Sequence, residues 1–167
     1  MLLCGIINDL MKSTSHTANV SFFFCQATDA RINNSLAVLH GLIYLLVKQQ
    51  LSLVSHIRES YDVSGKQLFN GVNAWVVLSR IFTNILADPQ LRSTYLIIDV
   101  LDECTADLSL LLKLVVQKSS AHSRVKWIVS SRNWPGIEKD LESATLKMRL
   151  CLELNETSVS TGVTAYI

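Results

Sequence analysis

The sequence has no run of basic residues, and its 15 Lys and Arg stand against 14 Asp and Glu, for a formal net charge of only +1. That removes the electrostatic argument for a nucleic-acid or membrane-surface partner. It has no C-x-x-C pair: Cys4, Cys25, Cys104 and Cys151 lie far apart, most of them in apolar segments, as core thiols of a protein from a reducing compartment do. His16, His40, His56 and His122 show no metal-ligand spacing with one another or with the cysteines, and His40 and His56 are expected on helix surfaces. No G-x-S-x-G elbow is present. No apolar run reaches the roughly 20 residues that a membrane span needs; the longest, Leu36 to Val47, is broken by His40 and Gly41. The opening "MLLCGIINDL" lacks the basic leader of a signal peptide and is cut short by Asn8-Asp9. The expected localisation is therefore cytoplasmic, and the sequons at Asn33 and Asn155 are only nominal. Internal repeats, low-complexity tracts and linkers are also missing.

What is there is apolar and patterned. With 167 residues, 49% apolar and 17% charged, the chain is long enough for one domain with a sizeable core, taken here as residues 1–167. "NVSFFFCQATD" predicts a buried strand. "NNSLAVLHGLIYLLVKQQ" predicts a helix capped by Asn34 or Ser35, with Leu36, Leu39, Leu42, Ile43 and Leu46 on one stripe. Tyr61 to Gly71 reads as a polar loop, and "NAWVVLSRIFTNILADP" as a second helix stopped before Pro89. Tyr95 to Asp99 is a strand. "TADLSLLLKLVVQKSS" is a helix with Thr105 as its cap, and "RVKWIVSSR" is a strand again. Pro135 suits the first turn of a short helix to about Ser143. "LKMRLCLEL" alternates like a strand nearer an edge, and "NETSVSTGVTAYI" starts another helix. Trp75 is expected in the core, and Trp134 either there or beside a ligand. Strands alternating with helices imply parallel crossover units, so the fold class is α/β with a parallel sheet. Ligands of such sheets sit beyond the strand C-termini.

Two strand ends carry chemistry there. "LIIDVLDE" ends an apolar strand on Asp99 and follows it with Asp102 and Glu103. A carboxylate in that position can hold magnesium through water opposite nucleotide phosphates, and a second acid nearby can polarise an attacking water. The competing reading is that Asp102 and Glu103 favour the next helix start through its dipole. "VKWIVSSR" ends on Ser131-Arg132, and a guanidinium there can reach a terminal phosphate. A surface arginine closing a loop is the plainer reading of Arg132 alone. Acid and then Ser-Arg on consecutive strands make the joint reading the stronger one.

The combination resembles the NACHT NTPases, a branch of the STAND signalling ATPases within the P-loop fold. "LIIDVLDEC" is similar to their Walker B and "IVSSRNWP" to their sensor-1 strand. The wider pattern, carried by "FFFCQATDARINNSLAVLHGLIYLLVKQQ", "VNAWVVLSRIFTNIL" and "LCLELNETSVSTGVTAYI", resembles fungal proteins of the heterokaryon-incompatibility, NLR-like kind. The resemblance covers nearly the whole chain. It implies a P-loop NTPase-like (ASCE) three-layer sandwich. It implies Asp99 on the magnesium-water shell, Asp102 and Glu103 as the hydrolytic acids with Glu103 the first choice of base, and Ser131 and Arg132 as nucleotide-sensing residues. One departure is Val100, where the family usually has a small residue.

The phosphate loop itself, G-x-x-x-x-G-K-[ST], does not occur in these 167 residues. "VSGKQLF" has Gly65-Lys66, but Gln67 stands where the hydroxyl is needed and no strand precedes it. In similar proteins "MLLCGIINDL" follows that loop directly. The expectation is therefore a partial domain beginning just after Walker A and lacking the first strand, either as a fragment or through a start placed at an internal methionine. The cofactor expected in the complete domain is Mg2+ with ATP or GTP. The chain alone is expected not to bind nucleotide, and its longer parent to self-associate. The alternative is a non-catalytic interaction module that keeps the fold. A hydrolase of another kind comes third.

Overall fold

The computed structural model of the 167-residue chain describes residues 2–14, 17–65, 73–119, 123–132 and 136–137. In chain order these form α1 (Leu2–Ser13), β1 (Ala18–Phe24), α2 (Ser35–Gln49), a 3-10 turn (Leu51–Leu53), α3 (Val54–Ser64), α4 (Ala74–Ala87), β2 (Ser93–Asp99), a second 3-10 turn (Leu101–Glu103), α5 (Leu108–Ser119) and β3 (Val125–Val129). The three strands make one sheet in the order β1-β2-β3, all parallel. The apolar strands "VSFFFCQ", "YLIIDV" and "VKWIVSS" are thus neighbours in that order. Registers Phe24 with Asp99 and Ile98 with Val129 bring all three strands to an end at nearly the same level.

Alternation along β2 divides the sheet between two cores. Leu96 and Ile98 face a large cluster built from α2, α3, α4 and α5, with Leu39, Leu42, Leu46, Leu78, Ile81, Phe82 and Ile85 at its centre. Ile97 faces the other way, onto Leu3 and Ile7 of α1 and Val20 of β1. Helices thus cover both faces, which explains why β2 reads as an unbroken apolar run. Each fully buried Leu, Ile or Phe stabilises by about 1.5–3 kcal/mol, so the α2–α4 side dominates. Trp75 and Trp127 pack against that core, Trp127 edge-on to Phe82.

Helix α2 lies close over β1. Its buried stripe is Val38, Leu39, Leu42, Ile43 and Leu46, with Leu36 only half-buried. Ser21 Oγ donates to the Leu42 carbonyl at 2.9 Å. At Gly41 a Cβ would stand 2.9 Å from Cε2 of Phe23 and closer still to Cδ2, so the helix needs glycine for this approach. Of the two possible caps Asn34 is the one used: its Oδ1 accepts from the Ala37 N–H at 2.8 Å. At the helix end Gln49 works on β1. Its Oε1 accepts from the Val20 N–H and its Nε2 donates to the Val20 carbonyl, both at 2.9 Å. A side-chain amide thereby satisfies backbone groups of a strand that, among the described residues, has a neighbour on one side only.

Two expectations are corrected. Tyr61 to Ser64 are not loop but the last turn of α3, which ends on Gly65 at φ 57 with its N–H on the Tyr61 carbonyl at 2.7 Å. Glycine adopts that φ at little cost. Nor does Thr105 cap the following helix. A parallel bridge pairs Asn34 with Ala106, and the Thr105 N–H donates to Asn33 O at 2.8 Å, so this segment runs extended beside the start of α2. Helix α5 starts only after Asp107, whose carbonyl accepts from Leu110 and Leu111. Residues 66–71, Trp134, Pro135, the segments "LKMRLCLEL" and "NETSVSTGVTAYI", Cys151, His16 and His122 lie outside the described residues; Gly136 and Ile137 are helical. Among the described residues no helix is long and apolar enough to cross a membrane.

Candidate functional site

Strand β2 delivers Asp99 to the sheet's C-terminal edge, and Val100 then turns the chain in the left-handed region at φ 53. A β-branched residue rarely adopts that conformation, and strain of this kind collects at functional turns. The turn starts the 3-10 segment that carries Asp102 and Glu103. Two backbone bonds extend the ladder past the strands: Ser130 N–H to Ile98 O at 3.0 Å and Leu101 N–H to Ser130 O at 2.9 Å. The acidic turn and the end of β3 are thereby fixed to each other.

The side chains converge on this frame. Ser130 Oγ donates to Asp99 Oδ1 in a short hydrogen bond and itself accepts from the Val100 N–H at 2.9 Å. Asp102 is buried, its side chain only 2% exposed. Its Oδ1 accepts from the Arg132 N–H at 2.9 Å and its Oδ2 lies 3.3 Å from Arg132 Nε. Arg132 Nη2 also lies 3.4 Å from Glu103 Oε1, while Glu103 Oε2 accepts from the Ala27 N–H, just beyond β1, at 3.1 Å. One guanidinium therefore spans two carboxylates, and Glu103 is held from two sides, by the segments that follow β1 and β3. Asp99, Asp102, Glu103 and Arg132 come together as the sequence suggested. Ser131 is beside them, but its Oγ turns to the Arg132 carbonyl at 2.9 Å. The hydroxyl that meets Asp99 belongs to Ser130, one position earlier.

Below the acidic turn lie two thiols. Cys25 follows β1, with its N–H on the Asp99 carbonyl at 3.1 Å, and Cys104 follows Glu103. Both are buried. The hydrogen bond with Cys104, then burial, then the nearby Glu103 and Asp99 carboxylates hold the Cys25 thiol far above its ordinary range. The same hydrogen bond favours the thiolate of Cys104. His56 is not a ligand candidate: its Nε2 pairs with Asp88 Oδ2 at 2.8 Å on the far side of the core.

Among the described residues no group of three or more His, Cys, Asp or Glu side chains is arranged to hold a metal ion. Mg2+ keeps its waters and takes one or two carboxylates plus substrate phosphates. Asp99, polarised by Ser130, is a donor of that kind. Sequence reasoning missed Ser130, the Ala27 N–H and the thiol contact. The Ser130 hydroxyl was readable in principle, since it lies in the polar "SSR" end of β3; the other two depend on which loop folds over the turn.

The family described as Nephrocystin 3, N-terminal, matches residues 1–132. The vegetative incompatibility protein HET-E-1 of Podospora anserina is 63% identical over 167 residues, which is 100% of this chain and 12% of that protein. The chain thus spans about one eighth of the length of that relative. No solved structure matches.

Proposed function

Because this chain belongs to the family described as Nephrocystin 3, N-terminal, we propose that it is part of a nucleotide-dependent signalling switch of the NACHT, NLR-like kind, acting in the cytoplasm of a fungal cell. The resemblance of its strand ends to Walker B and sensor 1 suggests this, and so does its likeness to a vegetative incompatibility protein. The observation that carries the proposal is the convergence of Asp99, Asp102, Glu103 and Arg132 at the C-terminal ends of adjacent parallel strands. Asp99 holds the magnesium-water shell of ATP or GTP, with Ser130 orienting its carboxylate. Glu103, the more exposed of the turn acids, polarises the attacking water. Asp102 holds Arg132 in place, and Arg132, with Ser131 next to it, senses the terminal phosphate. Magnesium would supply charge neutralisation on the phosphates. The rest of the fold is an ASCE-type P-loop sandwich, and the phosphate grip comes from outside these 167 residues. The output is a change of assembly state in a self-associating parent protein.

One observation favours a second reading, a non-catalytic interaction module. Arg132 is already paired with both turn acids, as a purely structural network would be. The two readings separate in a longer protein that supplies a phosphate loop. There Glu103→Gln should slow hydrolysis by roughly 10²–10⁴-fold with nucleotide binding retained. Unchanged turnover would remove Glu103 from the base role, and absence of turnover in the parent protein itself would favour the module.

A further inference from the structure

We propose that Asn33, which lies outside the acidic strand ends, is a positioning residue for Glu103: it holds both the residue that donates to this carboxylate and the backbone that follows it. Its role in hydrolysis rests on the reading of Glu103 as the base. A closed ring of hydrogen bonds carries this. Glu103 Oε2 accepts from the Ala27 N–H at 3.1 Å. The Ala27 carbonyl accepts from Asn33 Nδ2 at 3.0 Å. The Asn33 carbonyl accepts from the Thr105 N–H at 2.8 Å and from the Ala106 N–H at 3.2 Å. Thr105 lies two positions after Glu103, so the ring returns along the chain to the carboxylate it started from.

Glu103 needs such support. Its side chain is 26% exposed, and a glutamate that is free to turn spreads over several rotamers. A base works only from the rotamer that faces its water. Arg132 fixes it weakly, since Nη2 is 3.4 Å away on a side chain 68% exposed to solvent. The Ala27 amide is the closer contact, and Asn33 ties it to a firm base. The next residue, Asn34, bridges to Ala106 and caps α2 through the Ala37 N–H at 2.8 Å. The bond to Ala27 requires a donor at position 33. Aspartate has the same shape, but its carboxylate would oppose the Ala27 carbonyl. The contacts to Thr105 and Ala106 use the Asn33 backbone, so they survive a change of side chain.

The test has two arms. On the 167-residue chain, NMR reads amide hydrogen exchange at Ala27. Asn33→Ala, Asn33→Asp and Glu103→Ala should each speed it by about fivefold, the equilibrium value of one hydrogen bond, with the β2 amides unchanged. Arg31→Ala, which removes a guanidinium paired with Asp29 in the same loop, should leave it unchanged. In a longer protein that supplies a phosphate loop, Asn33→Ala and Asn33→Asp should lower kcat by about 10–100-fold. The KM for magnesium-nucleotide should hold, and Arg31→Ala should change neither. Unaltered Ala27 exchange in Asn33→Asp, or an equal effect in Arg31→Ala, would overturn the proposal. So would full kcat in Asn33→Asp beside an impaired Glu103→Gln, a result that leaves the base reading standing. Faster Ala27 exchange in Asn33→Asp beside normal turnover in Glu103→Gln would overturn the base reading instead, and leave Asn33 as the residue that holds this side chain.

Discussion

Replacing Asp102 with alanine separates an anchoring role from a catalytic one. The side chain is 2% exposed, and its strongest partner is not the Arg132 guanidinium but the Arg132 backbone N–H at 2.9 Å. A hydrogen bond to a buried charged acceptor is worth about 1.5–3 kcal/mol, and the stranded N–H adds a desolvation cost of about 1–3 kcal/mol. Against this stands the relief of removing one of three neighbouring carboxylates, together with the usual cost of burying a charge. The guanidinium pair counts little, because the Arg132 side chain is 68% exposed, and exposed pairs give about 0–1 kcal/mol. The expected net loss is about 2–4 kcal/mol, or a fall in Tm of about 4–16 °C for a domain of this size. Urea unfolding of wild type, Asp102→Ala, Arg132→Ala and the double variant measures it. Arg132→Ala keeps its backbone N–H, so the coupling in the cycle should stay below about 1 kcal/mol. Asp102→Ala at wild-type stability would refute the anchoring argument and return Asp102 to the pair of hydrolytic acids.

Three further outcomes follow from single contacts. Gly41→Ala gains about 1 kcal/mol of helix propensity but forces a methyl into the Phe23 ring, so thermal unfolding should show a net loss of about 0–2 kcal/mol; stabilisation would mean that α2 stands further from β1. Val100→Gly relieves a left-handed turn worth about 1–2 kcal/mol and should be neutral or stabilising in urea, whereas a loss above about 2 kcal/mol would show that the valine side chain matters more than its backbone. Asp88 is held below the ordinary carboxylate range, first by its hydrogen bond with His56 and then by the Gln90 N–H. Its contribution is therefore complete above the unfolded value of about 3.9 and is lost as pH falls through the lower folded value. Asp88→Asn should weaken the fold near neutral pH and converge with wild type in acid; a constant difference across the acid range would contradict this.

The parallel sheet was legible because its strands are short apolar runs ending in polar residues, a pattern with few competing explanations. Asp99, Asp102, Glu103 and Arg132 were legible for the same reason: Asp99 closes β2, and the other three sit three or four residues beyond the end of β2 or β3. Helix α3 was not, because Val54–Ser64 mixes Arg58, Glu59, Ser60 and Asp62 into a largely polar segment and makes few core contacts beyond Ile57. The start of α5 was misplaced because capping preference is local, whereas the Asn34–Ala106 bridge that delays the helix joins residues far apart in sequence. The Ser130 hydroxyl was not singled out because it lies one residue from Ser131 at a strand end. There the alternation of the pleat decides which hydroxyl faces Asp99, and the last paired residue, Val129, could not be located from sequence.

The most direct test is magnesium-dependent nucleotide binding by calorimetry, on a longer protein that supplies a phosphate loop and on its Asp99→Ala variant, with residues 1–167 alone as the control. The account predicts saturable binding of Mg2+ with ATP or GTP to the longer protein, clear weakening in Asp99→Ala, and no binding to the chain alone. In that chain three acids and one arginine face the polyanion without loop amides or lysine. Unchanged affinity in Asp99→Ala, or saturable micromolar binding by residues 1–167 alone, would contradict it.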